Sequence, residues 1–191
     1  MIRRLLCVVL LAMLPSAQAA IVRGDFSGTV ATAGAPFAGP VGSAFSGYYT
    51  YDTSAAALGA LPGPFAGLGT GYSALSFVID GTSFGPAIVA LSDNYIGLFD
   101  ILWVMTSPTG YPALQLAGPT SLWSGESLSN LDGITFSDFS SDLNVVSRAG
   151  LGDGSVTAWS QRDATVTVPE PATLALLAFG LAGFGFSRRK H

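Results

Sequence analysis

The side chains able to do chemistry in this sequence are few and mostly of one kind. Glu126, Asp132, Asp138 and Asp142 fall together in the stretch GESLSNLDGITFSDFSSDL. Two carboxyl groups at a fixed separation are what glycoside hydrolysis needs, one as acid and the other as base or nucleophile. Spread among Ser and Gly, however, such residues are also the ordinary material of turns, where they accept hydrogen bonds from nearby backbone. No catalytic residue is assigned among them. Ser92-Asp93-Asn94 and Leu151-Gly152-Asp153-Gly154 carry oxygens of the kind calcium takes. Neither follows the EF-hand spacing or a Gly-Asp nonapeptide repeat, so no metal ligand or cofactor is assigned.

The missing groups narrow the field further. The only histidine is His191, the only lysine is Lys190 and the only cysteine is Cys7, all in the terminal segments. Between those segments neither a Ser-His-Asp or Cys-His mechanism nor an imidazole or thiolate zinc site can be assembled. The glycines of GLGTG from Gly67 have no following helix and no Lys-Ser/Thr, so they do not form a phosphate loop. Trp103 lies in an apolar run and reads as core. Trp123 and Trp159 have polar neighbours, which suits half-buried packing or, alternatively, stacking against a sugar ring.

The elements that must position these residues read as strands. Over residues 20–168, ten Asp and Glu126 stand against Arg23, Arg148 and Arg162, eleven acids to three bases, a net −8. So acidic a domain repels phosphate backbones, which argues against nucleic acid as a partner. Phe26, Gly28 and Val30 alternate on one face, as do Phe45, Tyr49 and Tyr51, with Tyr48 on the other. Leu75, Phe77 and Ile79 alternate with Ser76, Val78 and Asp80, and Asp80-Gly81 predicts a tight hairpin turn. Further strands are expected from Ala87, Ile96, Ala113, Gly154 and Ala164, and a long Gly- and Pro-rich loop over 58–71. About eight short strands and no amphipathic helix predict an all-β domain, an antiparallel sandwich of jelly-roll type, over 20–167.

Both ends of the chain are of a different character. Arg3 and Arg4 precede an uncharged stretch from Leu5 to Leu14, then Pro15 and Ala17-Gln18-Ala19. This is the layout of a secretory signal peptide helix over 1–19, cut before Ala20, which implies export machinery and a signal peptidase as partners. At the other end, Pro169 and Pro171 disfavour helix at Val168 and Glu170 and hold an extended segment. From Ala172 to Ser187 sixteen residues carry no charge. As a transmembrane helix they would span about 24 Å, slightly short of a hydrocarbon core of about 30 Å. Apolar on every side, the run lacks the polar face of a docking helix. Arg188, Arg189 and Lys190 place its end on the cytoplasmic side.

The order Val168-Pro169-Glu170-Pro171, apolar span and basic cluster resembles the PEP-CTERM sorting signal of Gram-negative bacteria, over residues 168–191. The resemblance implies recognition by an exosortase, with Pro169, Glu170 and Pro171 as the recognition element. It makes Ala172, Leu174, Leu177, Gly180, Gly183 and Phe186 part of a transient inner-membrane span, and Arg188, Arg189 and Lys190 its stop. It further implies delivery to the cell surface or extracellular matrix, in a setting of exopolysaccharide and biofilm. The expectation is a non-enzymatic exported protein with a structural or binding β domain. The alternatives are a carbohydrate- or calcium-binding adhesin-like module, or a carboxylate-dependent glycoside hydrolase.

Overall fold

The computed structural model describes residues 20–61, 69–106, 111–148 and 151–164. Their strands are β1 (Ile21–Thr32), β2 (Ala44–Asp52), β3 (Ala57–Ala60), β4 (Thr70–Ile79), β5 (Thr82–Ser83), β6 (Ala87–Tyr95), β7 (Phe99–Thr106), β8 (Ala113–Gly118), β9 (Val145–Arg148) and β10 (Gly152–Asp163). The order β2-β1-β10-β9-β8-β7-β6-β4 is antiparallel throughout, and β4 pairs back onto β2. Eight strands therefore close a ring, with β3 and β5 attached to β4 outside it. This corrects the expected sandwich: the all-β class holds, but the architecture is a closed barrel. Closure leaves the eight strands no free sheet edge, and a barrel of this size has an interior that side chains can fill.

One irregularity in β4 makes the closure possible. Its first half pairs with β6, Thr70 opposite Leu91 and Ala74 opposite Ala87, and its second half pairs with β2. Between them the β2 register steps from Ser76 to Ala74, leaving Leu75 as an extra residue. Such a bulge shifts the alternation by one and bends the strand. Phe77 and Ile79 are fully buried as the alternation predicts, whereas Leu75 is 59% exposed instead of facing inward with them. The hairpin turn is where it was expected, with φ of 47° at Asp80 and 77° at Gly81. The strand expected from Ile96 begins only at Phe99, because Asn94, Ile96 and Gly97 adopt positive φ and form the β6–β7 turn.

The interior is packed by matching large residues to glycines across the β1–β2 ladder. Gly24 stands opposite Tyr49, Phe26 opposite Gly47, and Gly28 opposite Phe45. At each pair the aromatic ring occupies the space that a glycine Cβ would need. Burying a side chain of Phe size is worth roughly 1.5–3 kcal/mol, and these glycines let three such rings lie flat on the sheet. Strands β6, β7 and β8 are buried on both faces, as their apolar runs require. Their outer face carries a second cluster that contains Ile88, Trp103 and Met105, with Leu61 against it.

Connections seal both ends of the barrel. Phe37, in the β1–β2 connection, packs its ring 4.8 Å from that of Phe45 at one end. At the other, residues 119–144 form three short 3-10 turns and insert Trp123, Leu128, Leu131 and Phe139 into the interior cluster. Trp123, Phe139 and Trp159 meet edge to face, with centroids 6.4 and 5.5 Å apart. Among the described residues no helix is long and apolar enough to cross a membrane. The predicted signal segment 1–19, the sorting segment 168–191 and the strand after Ala164 lie outside the described residues.

Candidate functional site

Residues 119–144 carry the carboxylates singled out in the sequence, and the structure binds them into the end cap. Glu126 accepts a hydrogen bond from the Thr70 hydroxyl at 2.5 Å, and its backbone carbonyl accepts from the Tyr72 hydroxyl at 2.8 Å. Asp138 accepts from the Thr135 amide at 2.7 Å and hydroxyl at 2.8 Å, which holds its pKa below the ordinary carboxylate value. Asp132 closes the turn Leu128–Leu131, and Asp142 lies on the turn Ser141–Leu143. Asp132 and Asp138 hold capping positions, as residues of this kind commonly do in turns.

The calcium candidates are distributed in the same way. Asp93 accepts from the Gly125 amide at 2.6 Å and from its neighbour Asn94, so it ties the β6–β7 turn to the cap. Asp153 sits within β10 opposite Ser147, in a strand rather than a loop. Among the described residues no three His, Cys, Asp or Glu side chains gather where they could hold a metal ion. A carboxylate that sequence reasoning overlooked is Asp100, fully buried, which receives the amides of Asn94 at 2.8 Å and Trp123 at 3.0 Å. Its place in the apolar run FDILW is the signal that marks it, since a charge there requires partners.

The structure assembles a different group of polar side chains on the outer surface of β10, β1, β2 and β4. Arg23 and Asp25 share the outward face of β1, and Arg162 reaches them from β10, where it stands opposite Arg23. Asp25 accepts from Arg23 Nε at 2.7 Å through one oxygen, and lies 3.1 Å from an Arg162 Nη through the other. The Arg23 guanidinium lies over the Tyr48 ring, 3.8 Å from its centroid. Arg23, Asp25 and Tyr48 line one side of an open trough of about 480 Å³, and Arg162 stands beside it through its bond to Asp25. Its floor is formed by small side chains, Ser27, Ser46, Ala158 and Ser160. A register shift in β10 sets Ala158 opposite Ser27 and Val156 opposite Gly28, which turns both Thr157 and Ala158 outward. Sequence reasoning did not single out these residues; the signal for Arg23 and Asp25 is two outward positions on one strand, whereas only the β1–β10 ladder brings Arg162 there.

The two exits of the chain bear on how the domain is delivered. Ala164, the last described residue, donates its amide to the Ile21 carbonyl at 2.7 Å, and Thr53 donates to that of Ala20 at 3.0 Å. The chain therefore enters and leaves the barrel side by side, at the end covered by residues 119–144. Residues 167–190 match the family model of the PEP-CTERM protein-sorting motif. The chain carries a PEP-CTERM protein-sorting motif. No curated protein and no solved structure shows significant similarity to it. The PEP-CTERM motif marks an exported protein, targeted to an exosortase through a membrane-anchored C-terminal signal. It starts three residues beyond Ala164, so the barrel and the sorting motif are joined almost without a linker.

Proposed function

We propose that this chain is a surface or extracellular-matrix protein of a Gram-negative bacterium, processed by an exosortase and held only transiently in the inner membrane. Its barrel has a non-enzymatic, structural or binding role alongside exopolysaccharide in a biofilm. The observation that carries the reading is the sorting motif at residues 167–190, directly after the barrel. The recognition element is Pro169, Glu170 and Pro171, the span runs from Ala172 to Ser187, and Arg188, Arg189 and Lys190 are the stop. The signal peptide is removed before Ala20, after which the mature domain has no cysteine.

Two features favour a binding role over a hydrolytic one. Glu126 and Asp138 of the cap are engaged by Thr70 and Thr135, and the trough beside Arg23 is open and lies on the barrel wall. The deciding experiment compares the mature protein in cells with and without their exosortase, and with Pro169, Glu170 and Pro171 replaced by Ala. Loss of exosortase or of the motif is expected to leave a heavier, membrane-retained form. An unchanged mass and location in both would overturn the reading.

A further inference from the structure

We infer that the trough across β10, β1, β2 and β4 binds a carboxylate-bearing sugar residue of a sparsely charged polysaccharide, with Arg23 and Arg162 receiving the carboxylate. The inference deepens the binding role proposed above and rests on it. Arg23 bonds Asp25 through Nε, which leaves its two Nη groups for a further acceptor. Arg162 is held to the other oxygen of the same carboxylate, with its side chain 64% exposed. Asp25 thus holds two guanidinium groups side by side and neutralises only one of them. The fixed fork of a guanidinium suits a carboxylate, and stacking on Tyr48 keeps the Arg23 plane in position.

The surroundings narrow the class of ligand. Only three arginines lie within residues 20–164; one of them lines this trough and a second is bonded to Asp25 in its wall. The Arg23–Asp25–Arg162 group therefore carries net positive charge on a domain of net charge −8, with Asp80 bonded to the Ser46 amide toward the opposite side of the trough. A densely charged polyanion would be repelled by the rest of the surface, while an anion carrying widely spaced charges would not. The floor offers the hydroxyls of Ser27, Ser46 and Ser160, suited to a ligand rich in hydroxyl groups. Small-molecule pockets are typically enclosed and mostly apolar. An open trough crossing four strands instead fits one segment of an extended chain.

The test uses the exported protein and two immobilised polysaccharides, hyaluronan with one carboxylate per disaccharide and neutral dextran. Retention on hyaluronan but not on dextran is expected, weakening as salt is raised. The double variant Arg23→Gln/Arg162→Gln should bind hyaluronan more weakly by on the order of tenfold or more, from the loss of charge-assisted hydrogen bonds. Arg148→Gln, which removes one positive charge outside the trough, should bind as the unaltered protein does. Circular dichroism checks that each variant is folded. Equal retention on dextran, no retention on hyaluronan, or equal losses in the Arg148 and double variants would overturn the inference. Those outcomes leave the sorting and surface reading standing, because it is decided separately by exosortase deletion.

Discussion

Gly47 stands directly opposite Phe26 in the β1–β2 ladder, and the Phe26 ring fills the space a Gly47 side chain would take. The carbonyl oxygen of Val78 on β4 closes the same space from the other side. A ring can shift to admit a methyl group, but a backbone carbonyl held in the β2–β4 pairing cannot. Gly47→Ala is therefore expected to destabilise the barrel by about 1–3 kcal/mol, the usual cost of overpacking. Urea unfolding should show a lower midpoint with an unchanged slope. An unchanged midpoint would mean that Phe26 and β4 move freely.

Asp100 links the β6–β7 turn to the end cap through the Asn94 and Trp123 amides. Asp100→Ala leaves the buried Trp123 amide and the part-buried Asn94 amide without this acceptor and should cost about 1–3 kcal/mol. Asp100→Asn keeps one oxygen and should cost less. Hydrogen exchange offers the local readout, since the Asn94 and Trp123 amides should lose protection ahead of those in β1 and β10.

Burial pushes the phenols of Tyr49 and Tyr51 far above their ordinary range, with each next raised by a neighbouring group, Tyr51 for the former and Asp132 for the latter. A raised folded-state pKa gives stability that is complete below the unfolded value, near 10.0, and is lost as pH climbs above it. Alkaline unfolding should therefore begin above that pH and coincide with the appearance of tyrosinate absorbance. Tyr49→Phe removes one ionising group and should make the alkaline loss shallower. At neutral pH the same variant deprives the Trp159 indole of its acceptor, at 3.1 Å, at a cost of about 1–2 kcal/mol.

The acid side is governed by depressed carboxylates. Asp138 is lowered by its bonds to Thr135, and Asp52 by its bonds to Ser54. A depressed folded-state pKa gives stability present above the unfolded value of 3.8 and lost as pH falls through the folded one. Both groups are exposed, so the contribution is small and best read by titrating the carboxyl carbons. Thr135→Val should raise the Asp138 pKa toward its ordinary value and leave that of Asp52 in place. A fixed Asp138 pKa would rule out the Thr135 hydroxyl bond as a cause.

Local alternation made much of the barrel legible. Phe26, Val30, Phe45, Tyr49, Tyr51, Phe77 and Ile79 are buried as their spacing implies, because a strand presents alternate residues to one face whatever its partner. Leu75 departs because a bulge depends on two registers meeting, β2 on one side and β6 on the other. β9 was missed, since four residues show no pattern of their own. The carboxylates of 119–144 drew attention as possible chemistry, while the role of Glu126 depends on Thr70, a partner that lies in β4.

The sorting motif was readable in full from the covalent order alone, because a proline-fixed segment, an apolar run and a basic cluster act in sequence along the chain. The same holds for the acidity of the domain and its strand-forming rhythm. Closure of the barrel and assembly of the trough belong to the tertiary structure. Asp25 and Arg162 are 137 residues apart and meet only because β1 and β10 are neighbours in the ring. Alternation along a strand states which side chains share a face; it is silent on which strand lies alongside, and that choice is made by the packing of the whole barrel.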